Sequence, residues 1–247
     1  MENKLEEIIE RTIGNRKFDI NALRRKPEYF SYLRVPKKVC EYLQYFKVNH
    51  EAKEIMGRLD IFFLWLKNVD ECLDSKNVNG KVFLDRFQEN EINMENDDIY
   101  EGIILTDILR EITLNQNQDV LKGLGELYGA VLLEKDAENM HNLIEAKEKI
   151  GEHCASSTIT IISPYMEKNE RFNRFFIELG VIGNLADTIV DIKKDYKNGG
   201  IKFKLRFSEY IELYDRFLIK GAGMIIKHPL LIKSFLDSAE KAVFKNY

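Results

Sequence analysis

A hydrophobic repeat of about 3.6 residues runs through almost the whole of this chain, and it limits the fold more than any other feature. Only four prolines occur in 247 residues, so little in the sequence interrupts a helix. The pattern predicts helices over roughly 3–13, 36–47, 51–76, 97–114, 117–134, 137–166, 168–196, 205–227 and 229–245. The breaks are legible. "NVNG" (77–80) closes one helix, "NQNQD" (115–119) separates two, and Ser163-Pro164 ends or kinks another. "KNGG" (197–200) carries the lysine and glycines of a helix C-cap, and Pro229 of "HPLL" suits the first turn of a last helix. "STITIIS" (157–163) has the β-branched composition of a strand, but it is flanked by long helical patterns and has no partner strand, so a buried helix is expected. The small residues before it (Gly151, Ala155, Ser156) would allow close helix packing or leave room for a cavity. Without repeats, linkers or low-complexity stretches, the expectation is one all-α domain over residues 1–247, a bundle of long helices.

Composition removes several function classes. The formal net charge of −4 argues against general nucleic-acid binding, which rests on a basic surface. Cys40, Cys72 and Cys154 are odd in number, far apart and without CxxC spacing, as expected of reduced thiols. The acidic, amphipathic "MENKLEEIIERTIG" does not read as a targeting peptide. No apolar run approaches the ~18 residues of a membrane span. A cytoplasmic protein is expected. "FLIKGAGMIIKHPLLIKSFL" (217–236), apolar with spaced lysines, suits either core packing or a peripheral membrane contact.

Two acidic clusters then stand out. In "NLADTIVDIKKDYKNGG" (184–200), Asn184, Asp187, Asp191 and Asp195 lie at i, i+3, i+7 and i+11, one above the other on a helix face. In "RLDIFFLWLKNVDECLDSK" (58–76), Asp70, Glu71 and Asp74 form D-E-x-x-D. Both clusters fall at the C-terminal ends of apolar helices, where the helix dipole already disfavours negative charge. A hard cation answers the conflict. Mg²⁺ takes carboxylate oxygens and completes its octahedron with water and substrate phosphate. The apolar helix bodies below, with Phe63, Phe176 and Gly180, would line a greasy pocket, an arrangement that suits a lipid diphosphate.

These residues resemble the class I isoprenoid synthases. The 184–201 stretch is similar to the second metal-binding motif of squalene and phytoene synthases, where an amide residue and Leu precede D-x-x-x-D, a short basic segment, Gly and Ile. Asn184, Leu185, Asp191, Asp195, Gly199 and Ile201 fall on those positions, and Asp187 stands where that group usually has Asn. The aspartate column also resembles the (N/D)-x-x-x-(S/T)-x-x-x-E motif of terpene cyclases. "FLWLKNVDECLD" looks like the first aspartate-rich motif, with Glu71 at the second position. The resemblance implies an isoprenoid synthase-like bundle around a central cavity. It also implies Mg²⁺ held by Asp70, Glu71, Asp74, Asn184, Asp187, Asp191 and Asp195, and a prenyl diphosphate ionised to a carbocation that condenses or cyclises. Asp70, Asp74, Asp187, Asp191 and Asp195 are the catalytic candidates. Lys67, Lys194 and Arg206 are the diphosphate-binding candidates, with Arg58 and Lys147 also considered. "SKNVNGKV" stands where chain-elongating prenyltransferases carry an Arg-Arg pair, which argues against an elongase. A homodimer is compatible with the fold.

Two other readings compete. "ENMH" (138–141) has the E-x-x-H spacing of di-iron bundles, but a second copy is lacking. A non-catalytic helical interaction protein derived from the same fold would explain Glu71 in place of Asp.

Overall fold

A computed structural model describes residues 4–75, 78–88 and 99–229. Within them the chain forms ten α-helices: α1 (Lys4–Ile13), α2 (Ile20–Arg24), α3 (Val35–Tyr45), α4 (Ala52–Ser75), α5 (Lys81–Phe87), α6 (Tyr100–Ile112), α7 (Asn117–Lys135), α8 (Met140–Ile162), α9 (Glu170–Lys197) and α10 (Phe207–Lys227). No strand occurs among the described residues; one isolated antiparallel bridge joins His50 and Met166. The fold class is therefore all-α, as the periodicity predicts. The helix expected over 229–245 lies outside the described residues.

The chain divides into two compact units, one made of 1–124 and 157–172 and the other of 125–156 and 173–247. In the first, α4 packs on α6, α3 and α1. Ile55, Leu59, Phe62 and Leu64 of α4 and Ile103, Ile104 and Ile108 of α6 are fully buried. A helix apolar on nearly every side, as "IFFLWL" (61–66) is, belongs in such an interior. The polar groups buried with it are paired. The Trp65 indole N–H donates to the Thr106 hydroxyl at 2.8 Å, and that hydroxyl donates to the Gly102 carbonyl at 2.7 Å. Asp107, 6% exposed, accepts from Arg16 at 2.6 Å and from both nitrogens of the Arg86 fork at 2.6 and 2.8 Å. Burial works against its charge, but the two guanidinium groups outweigh it and hold the carboxyl below its ordinary range.

Arg58, one of the diphosphate candidates, is part of this interior. It is 6% exposed, donates to the Ile112 carbonyl, pairs with Glu54 at 3.2 Å and lies 4.3 Å from the Tyr165 ring centroid. Tyr165 belongs to the 3-10 turn Ser163–Tyr165, where Pro164 ends α8. The β-branched 157–162 stretch is helical throughout, and Ile161 and Ile162 are fully buried. Burial in a long helix overrides its strand propensity.

In the second unit α8 and α9 run antiparallel with their backbones in close approach at Gly151 and Gly180. A Cβ on Gly180 would stand 2.5 Å from the Gly151 carbonyl oxygen and 2.8 Å from the Ala155 Cβ. One turn on, the Asn184 side-chain amide donates to the Lys147 carbonyl at 2.5 Å. α10 buries Leu213, Phe217, Gly221 and Met224, spaced i, i+4, i+8 and i+11. Its flank is fixed by Arg216, which grips Glu148 with two hydrogen bonds of 2.6 and 2.9 Å, and by Lys227 on Glu178 at 2.6 Å.

The end of α9 follows the capping logic of "KNGG". Gly199 takes φ +78°, its N–H bonds the Tyr196 carbonyl at 3.2 Å, and the Gly200 N–H bonds the Asp195 carbonyl at 2.9 Å. This pair of bonds is a Schellman motif, and it fixes the backbone of Asp195 in the last turn. The short helices α2 and α5 were not expected from the sequence. At five and seven residues they are too brief to show a helical period.

Candidate functional site

α9 sets Asp187, Asp191 and Asp195 one turn apart on one face, as the spacing requires. Asp187 is exposed and the other two are half-exposed. Among the described residues none of the three carboxylates joins an ion pair or a side-chain hydrogen bond. Burial, then repulsion from Asp191, pushes Asp187 above its ordinary value, with Lys147 pulling the other way. Asp195 is raised too, first by burial and with Asp191 and Glu134 adding, while Lys147 opposes.

Two residues from neighbouring helices complete this cluster. Lys147 of α8, with a side chain 16% exposed, pairs with Glu134 of α7 at 2.7 Å. Burial works against the Lys147 charge. Glu134, and at longer range Asp187 and Asp195, outweigh it and hold the ammonium above its usual value. Lys147 thus stands among three carboxylates from two helices, Glu134 of α7 and Asp187 and Asp195 of α9. Its place follows from the α8/α9 crossing, because the same Lys147 carbonyl receives the Asn184 amide. That bond also turns the amide N–H₂ of Asn184 toward α8. Lys194 is exposed beside Asp195, and Arg206 is exposed at the N-cap of α10, where its backbone N–H meets the Glu209 carboxylate.

The cluster on α4 is built differently. Lys67 lies 3.5 Å from Asp70 and 3.4 Å from Glu71, and 5.8 Å from the Tyr32 ring centroid. The Tyr29 hydroxyl donates to Glu71 at 3.3 Å and accepts from the Asn68 amide at 3.3 Å. Burial pushes the Tyr29 phenol above its ordinary value. Glu71, with one methylene more than Asp, is thus held by Lys67 and Tyr29, while Asp74 is exposed. The α4 acids Asp70 and Glu71 are ion-paired with Lys67, whereas Lys147 and Lys194 act on the α9 aspartates only at longer range. The two clusters belong to different compact units.

Of the pocket candidates, Phe63 is buried and packs edge-on against Phe62 at 5.2 Å. Phe176 is buried on α9, and Gly180 lies at the α8 crossing. His141 is exposed, 3.4 Å from both Glu145 and Glu212, and His153 stands 3.4 Å from Glu126. Burial pushes the Cys154 thiol up to about 12, which leaves it protonated and unreactive near neutrality. Among the described residues no group of three or more His, Cys, Asp or Glu side chains is gathered closely enough to hold a metal ion. None of the described helices is long and apolar enough to cross a membrane.

Glu134 and the Asn184–Lys147 tie have no local signature in the sequence. Fifty-three residues separate Glu134 from Asp187, and only the packing of α7, α8 and α9 relates them. The close approach at Gly151 was the one sequence signal pointing toward that packing.

Comparison with known proteins returns no match to any family model, to any curated protein or to any solved structure.

Proposed function

We propose that the protein is a Mg²⁺-dependent class I isoprenoid synthase that ionises an allylic prenyl diphosphate and condenses or cyclises the resulting cation, releasing pyrophosphate. The observation that carries this reading is the aspartate column of α9. Three carboxylates repel one another at the negative end of a helix, and no ion pair among the described residues relieves them. Such an arrangement is unfavourable alone and becomes favourable with a hard cation. The donor set fits in kind: all are oxygens, and i,i+4 spacing lets two side chains of one helix reach a single ion.

Asp187, Asp191 and Asp195, with Asn184 beside them, would hold metal on α9, and Asp70 and Asp74 would do so on α4. When bound, Mg²⁺ supplies charge neutralisation for the diphosphate leaving group. Beside the α9 column, Lys147 and Lys194 would donate to diphosphate oxygens, with Arg206 as a further donor, and Lys67 would serve the α4 cluster. Heterolysis of the allylic C–O bond leaves the electron pair on pyrophosphate and the positive charge on the prenyl chain. The reading requires an apolar, aromatic pocket that keeps water from that cation, where each ring face is worth about 0.5–2 kcal/mol of cation–π attraction.

The test is pyrophosphate release from geranyl, farnesyl and geranylgeranyl diphosphates, with Mg²⁺ and with EDTA. Release that EDTA abolishes and that Asp191→Ala removes is the expected result. Near-normal turnover by Asp191→Ala overturns the assignment. One observation favours a second reading. On α4, Lys67 pairs with Asp70 and Glu71 and the Tyr29 hydroxyl donates to Glu71, as befits a helical binding protein of the same fold that performs no catalysis. Absence of release from all three substrates would select it.

A further inference from the structure

The connection from α9 to α10 carries a charge opposite to that of the whole chain. Residues 193–206 hold six basic side chains (Lys193, Lys194, Lys197, Lys202, Lys204 and Arg206) and one acid, Asp195, in a protein of net charge −4. All six are exposed. Across 201–206 basic and apolar residues alternate: Lys202, Lys204 and Arg206 are open, and Ile201, Phe203 and Leu205 half-buried. The chain then enters α10 at Phe207, 80% exposed, followed on the same side of the helix by Ile211 at 45% and Leu218 at 50%. This side is turned away from the buried row of Leu213, Phe217 and Met224. Exposed apolar side chains contiguous with a cationic stretch are the composition of an interfacial anchor. Two acids limit it. Glu209 is occupied with the Arg206 backbone N–H, and Asp215, one turn beyond Ile211, marks where the apolar strip turns polar.

We propose that residues 193–211 form a docking surface for an anionic lipid bilayer. Lys193, Lys197, Lys204 and Lys202, which also pairs with Asp136 at 3.7 Å, meet headgroup phosphates, while Phe207 and Ile211 enter the boundary of the acyl chains. Nucleic acid fits this surface less well, because a phosphate backbone offers nothing to Phe207, Ile211 and Leu218, and the rest of the chain is acidic. The inference stands on the surface itself and holds whether or not the protein is an isoprenoid synthase.

The experiment is sedimentation of the full chain with vesicles of phosphatidylcholine alone or mixed with phosphatidylglycerol. Binding to the anionic vesicles only, weakening as salt rises, is expected. Each basic residue near such a surface is worth roughly a factor of five, so K197Q/K202Q/K204Q should bind roughly a hundred-fold more weakly. Phe207→Ser should lose about ten-fold by giving up one inserted aromatic side chain. All four positions are exposed, and an unchanged melting temperature establishes that the variants fold. Three results overturn the proposal: equal binding to neutral and anionic vesicles, a folded triple variant that binds like the parent, or retention of single-stranded RNA without retention of vesicles. Because the readout is lipid binding, it is decided separately from pyrophosphate release.

Discussion

Asp191 stands one helical turn from Asp187 on one side and from Asp195 on the other, so it belongs to both like-charged pairs of the column. Asp191→Asn removes both. At roughly 0.2–0.5 kcal/mol per pair, the variant should be more stable than the parent by about 0.4–1 kcal/mol without divalent cations, as read from denaturant melts. It should at the same time lose metal-dependent turnover. The pH dependence has a definite sign. Asp187 and Asp195 bind protons more readily in the folded than in the unfolded chain. Their contribution is fully present below the ordinary carboxylate range and is lost as pH rises through their raised values. Asp107 behaves oppositely, since Arg16 and Arg86 hold it low. Its stabilisation is present above the ordinary range and is lost as pH falls through its depressed value. Asp107→Asn leaves two guanidinium groups without their carboxylate and should cost about 3–5 kcal/mol. A variant melting like the parent would show that the triad is dispensable. Of these residues, the α9 aspartates were legible from spacing alone. Asp107 was not, because a single Asp in "YEGIILTDILREI" (100–112) gives no sign that Arg16 and Arg86 converge on it.

The helices themselves were nearly all legible. Where caps or prolines mark an end, as at Gly199 and Pro164, the expected boundaries fall within a few residues of those found. Which helices touch was far less accessible, since 3.6-residue periodicity gives a face and not a partner. At the α8/α9 crossing the small residues of "IGEHCASS" (150–157) signalled close packing or a cavity but not the partner, which the structure shows to be Gly180. Gly151→Ala tests that contact. Its methyl group would meet the backbone of Gly180 and Val181, which cannot move aside as a side chain can. Overpacking of this kind costs about 1–3 kcal/mol, and it should also weaken the Asn184–Lys147 hydrogen bond one turn away. A lowered melting temperature with a weakened response to Mg²⁺ and pyrophosphate is expected. A variant as stable as the parent would mean that the two helices can part without loss.

For the whole molecule, the proposed chemistry makes one demand that any active form must meet. Mg²⁺ and inorganic pyrophosphate added together should stabilise the chain, by about 2.7 kcal/mol at a hundred times the dissociation constant. Neither ligand alone should do as much. A melting temperature indifferent to the pair would favour the binding-protein reading instead. The all-α class could be argued from the sequence because composition and period act everywhere along it. The division into two compact units could not, since it falls inside the continuous helices α7, α8 and α9 and leaves no linker to read. That division also bears on synthesis. Neither unit is a single stretch of chain: the first lacks residues 157–172 until the opening portion of the second has been made. On the ribosome, the first unit must therefore wait, incomplete, until 172 residues have emerged, and no single truncation of the gene can yield either unit free of residues that belong to the other.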